Sequence, residues 1–306
     1  MSQLAPICLF VYGRPEHTRR TLGALARNPE AGDSDLIIFA DGAKRDSDRP
    51  RVAAVRTLIQ AERRFKSVQI HAREENQGLA ASVIQGLTWS LGRHGAVIVL
   101  EDDIVTSPRF LDYMNRALVR YADEPRVGAI QGYQYAPEGS AMPMNFTRFF
   151  GSWGWATWKR SWDLFEPDGS RLLRRIQASG QVRQFNLDGT YNYYRMLKEQ
   201  CAGAIDSWFI RWYASQFLCG NLSLWPGRSL TENIGMDGTG THSPATRVYA
   251  SGALALPQEP EGLRVEESLE GTRLVADFFR HKTPNPLERW CRYHCPVWLK
   301  RMVEGR

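Results

Sequence analysis

The chain has 306 residues, of which 43% are hydrophobic and 24% charged, a composition that excludes wholesale disorder. The net charge of +6 suits a phosphate-bearing substrate, an anionic membrane or a nucleic acid, and charge alone does not choose among them. Five cysteines without a paired Cys-x-x-Cys spacing predict free thiols in a reducing compartment and no zinc site. No basic leader opens the chain and no apolar run approaches roughly 20 residues, so we expect a cytoplasmic protein.

The first hundred residues alternate between predicted strands and predicted helices. Apolar runs over 6–12, 35–40 and 96–100 and an alternating segment over 67–71 are typical of strands. Helices are predicted between them, from 16 onward, over 51–66 and over 79–91. This alternation indicates βαβ units and a parallel sheet. The fourth strand is apolar throughout, as in a strand that is buried on both faces.

Polar residues stand where the first three predicted strands end. Arg14 follows the first strand, and Asp41 follows the second. In a mononucleotide-binding fold an acid at the position of Asp41 contacts a ribose or base, but the Asp-Gly pair is equally typical of a plain turn. Asn76 and Gly78 precede the third helix, and they allow a tight helix start whose free N–H groups could face an anion.

Three acids, Glu101, Asp102 and Asp103, follow the fourth strand directly. Ligands of open parallel sheets bind beyond the carboxyl ends of the strands, and adjacent carboxylates repel one another unless a cation lies between them. Oxygen ligands suit Mg²⁺ or Mn²⁺, which leave coordination positions for substrate phosphates. The alternative is a solvated acidic turn before the next helix, because Ser107 and Pro108 suit a helix start.

Beyond that turn a helix is predicted over 108–121 and a strand over 127–131. The segment 149–158 then alternates tryptophans with small residues, including Trp153, Gly154 and Trp155. Such alternation combines close backbone approach with flat apolar walls, which a sugar ring requires. A tightly packed helix corner explains the pattern equally well.

The later part of the chain combines weaker helical signals with a polar loop. Helices are predicted over 169–178, 191–200 and 204–218, with a short strand over 222–225. Asp206 lies at the start of the third of these helices, where it could serve as an N-cap. The glycine-rich segment 232–242 contains Glu232, Asp237 and His242, and it is suited to closing over a ligand.

Taken together, these motifs resemble inverting GT-A glycosyltransferases, both the bacterial family 2-like enzymes and N-acetylglucosaminyltransferase I. The resemblance rests on Val99-Leu-Glu-Asp-Asp-Ile-Val-Thr-Ser-Pro-Arg-Phe110 and Phe149-Phe-Gly-Ser-Trp-Gly-Trp155. Arg14, Asp41, the segment 206–208 and His242 follow in family order. The resemblance covers roughly residues 5 to 245 and implies the GT-A fold, an α/β architecture with a mostly parallel central sheet flanked by helices.

The resemblance also implies a reaction, the transfer of a sugar from a nucleoside-diphosphate sugar to an acceptor hydroxyl with inversion at the anomeric carbon. We expect a UDP-sugar as donor and Mn²⁺ or Mg²⁺ as cofactor. The implied metal ligands are Asp103 and, after loop closure, His242. The implied donor contacts are Arg14, Asp41, Asn76, Glu101 and Asp102. The expected sugar and acceptor contacts are Trp153, Gly154, Trp155 and Asp237.

The acceptor hydroxyl needs a base within hydrogen-bond reach, and a carboxylate is the usual choice. Asp206 is the candidate. The family has two acids before the tryptophan of this motif, whereas here Asp206 is followed by Ser207. If the family's base belongs to the second position, then Asp237 or Glu232 would replace Asp206.

We predict a glycosyltransferase domain over residues 1–262, with a nucleotide-binding half (1–135), an acceptor half (136–262) and a basic amphipathic extension (263–306). Residues 280–306 contain seven Lys or Arg and two acids, which is consistent either with peripheral contact to an anionic membrane or with a docked helix. The expected acceptor is a glycan or glycolipid of bacterial surface polysaccharide or glycolipid synthesis. A catalytically silent sugar-binding or scaffold protein is the alternative. Nucleic-acid binding is disfavoured because the charge is confined to the tail and no recognition motif is present.

Overall fold

A computed structural model describes residues 4–136, 142–238 and 262–282 of the chain. The strands in this part are β1 (Ile7–Val11), β2 (Asp35–Ala40), β3 (Ser67–Ala72), β4 (Ala96–Glu101), β5 (Ile104–Thr106), β6 (Val127–Gln131), β7 (Asn145–Thr147), β8 (Trp155–Trp158), β9 (Leu222–Trp225) and β10 (Thr231–Asn233). The helices are α1 (Pro15–Leu25), α2 (Arg49–Gln60), α3 (Leu79–His94), α4 (Phe110–Arg120), α5 (Lys159–Trp162), α6 (Gly169–Ala178), α7 (Val182–Phe185), α8 (Tyr193–Cys201), α9 (Trp208–Leu218) and α10 (Leu269–Lys282).

The described strands form one large sheet and one small sheet. The large sheet has eight strands in the order β3-β2-β1-β4-β8-β6-β9-β7, and β10 pairs with β5 in the small sheet. The strands β1 to β4 are mutually parallel, and β6 and β9 run in the same direction as β4. Only β8 and β7 of the large sheet run the other way. The predicted α/β architecture with a mostly parallel central sheet is therefore confirmed.

Both faces of the sheet are covered, as the apolar sequence of the fourth strand predicts. Val97 and Val99 of β4 belong to one buried cluster, together with residues of α3 and α9. Ile98 and Leu100 belong to a second cluster on the opposite face, together with residues of α1, α2 and α4. Side chains that alternate between two hydrophobic layers anchor β4 firmly. The residues that immediately follow β4 therefore have a fixed backbone position.

The strand β8 is the element that the sequence pattern did not reveal. It is antiparallel to both β4 and β6 and lies between them. The tryptophan-rich segment is thus part of the central sheet, and neither of the two interpretations given above described it as a strand. Its register places Trp155 opposite Val99. Because the two strands are antiparallel, the residues just before β8 lie beside the end of β4, where the acids begin.

Aromatic residues dominate the face of the sheet that α9 covers. The Trp155 ring stacks on Trp208 at a centroid distance of 5.6 Å and contacts Trp212 at 5.5 Å. The helix α10 joins the same layer, since Phe279 contacts Tyr135 at 5.2 Å. The start of the predicted C-terminal extension is therefore a docked helix. Residues 283–306 lie outside the described residues, and so does the predicted membrane-binding tail.

In the described ranges, no helix is both long enough and apolar enough to cross a bilayer.

Candidate active site

The three acids lie at the carboxyl edge of the sheet, where β4 turns into β5. Glu101 is the last residue of β4, and Asp102 and Asp103 form the turn before β5. Phe10 near the end of β1 pairs with Glu101, so the end of β1 and the segment leading to α1 lie directly beside the acids. The structure thus places the three acids together at the sheet edge, beside the end of β1.

Burial and neighbouring negative charges raise the pKa values of two acids of this cluster, Glu101 and Asp102. Burial, followed by the charges of Asp103 and Asp102, raises the pKa of Glu101 to about 8. Burial and the charge of Asp103 raise the pKa of Asp102 to about 7, although Arg14 partly offsets the increase. Carboxyls that resist ionisation in this way would be stabilised as anions by an added cation. Perturbed acids in such a position are typical of a functional site.

Asp102 is the acid that is tied most firmly to the rest of the fold. Its carboxylate Oδ2 accepts a hydrogen bond from the backbone N–H of Tyr12 at 3.2 Å, and its carbonyl oxygen accepts one from the buried Thr21 hydroxyl at 2.9 Å. These bonds join the acid turn to the end of β1 and to α1. The sequence reasoning missed both partners, because each is an ordinary core position whose proximity to residue 102 depends on strand order.

Asp103 forms an ion pair with Arg14. The guanidinium Nη1 lies 2.7 Å from Asp103 Oδ2, and both side chains are mostly buried. The backbone of Gly235 lies against this pair, since a Cβ at that residue would lie 2.0 Å from Asp103 Oδ2 and 2.6 Å from Arg14 Nη1. The neighbouring Ile234 N–H donates to the Asp103 carbonyl at 2.9 Å. A Cβ at position 235 would force the Asp103 carboxylate and the Arg14 guanidinium to shift, and this dependence on glycine is a second feature that the sequence did not reveal.

The segment that contains Gly235 is called the covering segment below and comprises residues 231–238. It starts with β10, which pairs with β5 immediately after the acids. At its other end, the carboxylate of Asp237 lies 3.2 Å from Nε2 of His17 on α1. The structure thus places the first part of the predicted closing loop over the acid cluster. His242 lies outside the described residues.

Asp41 lies at the end of β2, and its carboxylate is already engaged within the protein. It accepts bonds from the backbone N–H groups of Gly42, Gln77 and Gly78 and from the side-chain amide of Asn76, at 2.9 to 3.0 Å. A carboxylate offers about four acceptor positions, so these bonds occupy the positions that a base or ribose would use. Asp41 and Asn76 therefore shape the loop before α3. A direct nucleotide contact by either remains a prediction.

Three of the four residues predicted to contact the sugar or acceptor, Trp153, Gly154 and Trp155, lie together at the start of β8 but differ in exposure. Trp155 is fully buried between strand and helix, where it packs on Trp208 and Trp212, and its contact with a sugar remains a prediction. Gly154 adopts a left-handed backbone with φ of 73° and packs closely on Thr231. Trp153 is partly buried, and its carbonyl accepts the Thr231 hydroxyl at 2.8 Å. Of the two tryptophans, Trp153 is the one that solvent reaches.

Asp206 lies just before α9 with its side chain 65% exposed, and its carboxylate is 3.1 Å from Nη2 of Arg211. The helix is capped by Ser207, whose hydroxyl accepts from the Ile210 N–H at 3.3 Å. Asp206 is therefore not the N-cap. The stacking of Trp208 on Trp155 places the start of α9 above the start of β8. Asp206 thus lies at the same edge of the sheet as the acid cluster.

A divalent cation fits this site if the protein supplies few of its ligands. Within residues 4–136, 142–238 and 262–282, no three His, Cys, Asp or Glu side chains are grouped as a ligand set. Mg²⁺ and similar ions commonly take one or two carboxylates and complete their coordination with water and substrate phosphates. The buried carboxyl of Asp102, whose pKa is raised, and the carboxyl of Asp103, which is paired with Arg14, are both hard oxygen ligands. Their chemistry fits an ion that is held jointly with a diphosphate.

Sheet order and acid cluster together define the class of protein: a GT-A fold with its candidate site beyond the end of β4. The sequence model of Glycosyl transferase family 2 matches residues 7–182, which is more than half of the chain. The chain belongs to this family. The match includes the acid cluster and the tryptophan segment but ends before Asp206 and the covering segment.

Solved structures resemble the chain at low sequence identity. A mannosyltransferase from Pyrobaculum calidifontis, in complex with GDP-Man and Mn²⁺, is 14% identical with a TM-score of 0.36, and the alignment covers 57% of this chain and 47% of that one. TarS of S. aureus is 14% identical with a TM-score of 0.30, and the alignment covers 45% of this chain and 23% of TarS. A mycobacterial protein is 12% identical with a TM-score of 0.30, and the alignment covers 53% of this chain and 54% of that protein. The chain spans less than two thirds of each structure. No curated protein sequence matches it.

Proposed function

We propose that the chain catalyses metal-dependent, inverting transfer of a sugar from a nucleoside-diphosphate sugar, in the first instance a UDP-sugar, to a hydroxyl of a glycan or glycolipid. The observation that carries this proposal is the acid cluster at the end of β4, in which burial and neighbouring negative charges raise the pKa values of Glu101 and Asp102. A site that disfavours its own negative charge has a use for a cation, and a diphosphate supplies the remaining ligands.

On the donor side, Asp103 would hold the cation, with His242 as a further ligand. When bound, the cation would offset the charge that develops as the diphosphate leaves. Glu101 and Asp102 would face the ribose or sugar, and Arg14 would contact the diphosphate. Asp41 and Asn76 would act on the nucleotide through the loop that they hold in place.

On the acceptor side, Asp206 would remove the proton from the attacking hydroxyl. Its exposed carboxylate and its single described contact, with Arg211, leave it accessible to an acceptor. Trp153 would offer an apolar surface to the sugar, and Asp237 of the covering segment would contact the sugar or acceptor. A base on one side of the anomeric carbon and a diphosphate leaving group on the other correspond to a single displacement, which inverts the configuration.

A ligand screen tests the donor assignment directly. Thermal unfolding of the full chain should be measured with UDP, GDP, ADP and dTDP and their sugars, each with Mn²⁺ and with EDTA. The correct donor should raise the unfolding temperature by mass action only when Mn²⁺ is present. Asp103→Asn should remove this shift, whereas Asp163→Asn, which replaces an exposed carboxylate paired with Lys159, should retain it.

Transfer itself supplies the second measurement. NMR of the early product should show the anomeric configuration opposite to that of the donor. We expect Asp103→Asn to lower the transfer rate about 10²- to 10³-fold, the loss typical when one electrostatic stabiliser is removed. Transfer that EDTA does not affect would contradict the metal requirement, and retention of configuration would contradict the single displacement.

A further inference from the structure

The ion pair between Arg14 and Asp103 raises a question that the proposed function leaves open. Arg14 directly precedes α1, and its carbonyl oxygen accepts hydrogen bonds from both the N–H and the hydroxyl of Thr18, each at 2.9 Å. The backbone at Arg14 is therefore fixed by the helix start. From this position its guanidinium reaches Asp103 Oδ2 at 2.7 Å. A positive charge thus already occupies the carboxylate that is proposed to hold the metal.

The covering segment holds this ion pair in place. The Gly235 backbone is packed against both members of the pair, and the Ile234 N–H bonds to the backbone of Asp103. The pairing of β10 with β5 connects the segment to the chain directly after the acids. The Arg14 guanidinium is therefore enclosed between the acid turn and Gly235. It cannot leave Asp103 without a change in its immediate surroundings.

A divalent cation at Asp103 would meet the charge of Arg14 at short range. Like charges a few ångströms apart in a partly buried site repel strongly, because water screens them poorly. A diphosphate changes this balance, since a guanidinium binds phosphate oxygens well through its planar fork of donors. Without a diphosphate, the metal and Arg14 compete for one carboxylate. With a diphosphate, each of the two cations has an anionic partner.

We infer that Arg14 is the resident counter-ion of Asp103, a positioning residue that makes metal binding depend on the presence of a nucleoside diphosphate. This inference rests on the proposed function, because it assumes that Asp103 binds the metal. Arg14 lowers the affinity for the ion in the empty site and raises it once the diphosphate is bound. Binding of the ion and of the nucleotide is therefore coupled through one side chain, and the coupling is reciprocal.

Mn²⁺ binding to the full chain, measured without nucleotide by electron paramagnetic resonance of the free ion, tests the inference. Arg14→Gln and Arg14→Met should each bind Mn²⁺ about tenfold more tightly than the original chain, a change of about 1.4 kcal/mol. With UDP present, the original chain should gain Mn²⁺ affinity by a larger factor than either variant. Arg19→Gln is the matched control on the same helix, since Arg19 is 62% exposed and pairs with Glu16, and its Mn²⁺ affinity should not change.

Unchanged or weaker Mn²⁺ binding in both Arg14 variants, with their folding verified by thermal unfolding, would overturn the inference. Equal Mn²⁺ binding by the original chain and Asp103→Asn would also overturn it, because the ion would then bind elsewhere. Sugar transfer is not the readout, so the two proposals fail separately. If the chain transfers sugar normally, the Mn²⁺ binding data can still refute the role of Arg14. If no donor is detected, the same data can still support that role.

Discussion

The donor side and the acceptor side of the site are built in different ways. On the donor side, Asp102 and Asp103 are bonded to the backbone or side chains of β1, α1 and the covering segment. On the acceptor side, Asp206 is exposed and has one described ion pair, while the rigidity comes from the buried Trp155 beneath it. On the donor side, the charged residues of the site are therefore also bonded into the fold. On the acceptor side, the charged residue and the residue that stabilises the fold are different.

This difference has a consequence for substitutions. A change at a donor-side acid alters the fold and the chemistry together, because the same carboxylate serves both. On the acceptor side, one residue can be changed for chemistry and another for stability. The comparison is supported if substitutions at Asp206, Trp155 and Ser207 each change either sugar transfer or folding stability but not both. It also requires that substitution of Asp102 changes both stability and donor binding.

The largest separation is expected at Asp206. Asp206→Asn should lower the transfer rate about 10²- to 10⁴-fold, the contribution typical of a general base. Donor affinity and the free energy of unfolding should stay near their original values, because the Asp206 carboxylate is 65% exposed and Arg211 keeps its hydrogen bond to the Ser207 carbonyl. Steady-state kinetics, donor titration and urea unfolding measure the three quantities.

The control is Asp188→Asn, which removes another exposed carboxylate of the same half, paired with Arg183. It should leave all three quantities unchanged. Normal transfer by Asp206→Asn would exclude that residue as the base. A large loss in Glu232→Gln or Asp237→Asn would then assign the base to the covering segment.

Trp155→Ala should affect the fold most. It removes a fully buried ring that packs on Trp208 and Trp212, and such truncations cost about 3–5 kcal/mol of unfolding free energy. Trp153→Ala should cost less, because that ring is only partly buried, and should instead raise the KM for the acceptor. Urea unfolding and acceptor titration distinguish the two variants. Equal losses of stability would show that both tryptophans are packing residues.

The sequence predicted the donor half of the fold well because its signals are local. Strands β1, β2 and β4 are apolar runs, and their ends place Asp41 and the acids at one edge. The strand β8 was not predicted, because Trp-Ala-Thr-Trp has only four residues and its position between β4 and β6 depends on long-range pairing. That missing strand is also why alternation could not tell the buried Trp155 from the accessible Trp153.

The site shows the same limit. Residue type and order predicted Asp103 and Arg14 as site residues, but their direct pairing and the role of Gly235 arise from segments more than eighty residues apart. At the start of α9, the sequence indicated Asp206 as a possible N-cap, whereas the structure has the neighbouring Ser207 in that role. Which of two adjacent residues caps a helix depends on backbone angles, and the extended backbone of Ser207 assigns the cap to it.

Asp102 should show the mixed behaviour of the donor side. Its pKa of about 7 lies above the ordinary value of 3.8, so between those pH values the folded chain retains a proton that the unfolded chain has lost. Rising pH therefore lowers the stability contribution of this group until the folded pKa is passed. In metal-free buffer, Asp102→Asn should be more stable than the original chain by about 1–3 kcal/mol at pH 8, and the gap should narrow towards pH 5.

Urea unfolding at several pH values measures this gap, and Asp163→Asn is the control, because its carboxylate is more than half exposed. The free energy of unfolding of Asp163→Asn should equal that of the original chain at every pH. A gap for Asp102→Asn that is constant with pH would mean that the carboxyl of Asp102 ionises normally. Asp102→Asn should also weaken donor binding, in contrast to Asp206→Asn.

The smallest expected effect is at Ser207. Because Ser207 adjoins Asp206, its substitution is the strictest test of whether stability and transfer depend on different residues on the acceptor side. Ser207→Ala removes the hydroxyl that accepts the Ile210 N–H and should cost about 1 kcal/mol of unfolding free energy, as for other N-caps. Asp168→Ala, which removes the cap of α6, should cost a similar amount. Transfer by folded Ser207→Ala should be unchanged, because a serine hydroxyl at neutral pH is a poor base. A kinetic loss as large as that of Asp206→Asn would instead mean that the position of Asp206 depends on the cap, so that stability and chemistry are joined on the acceptor side as well.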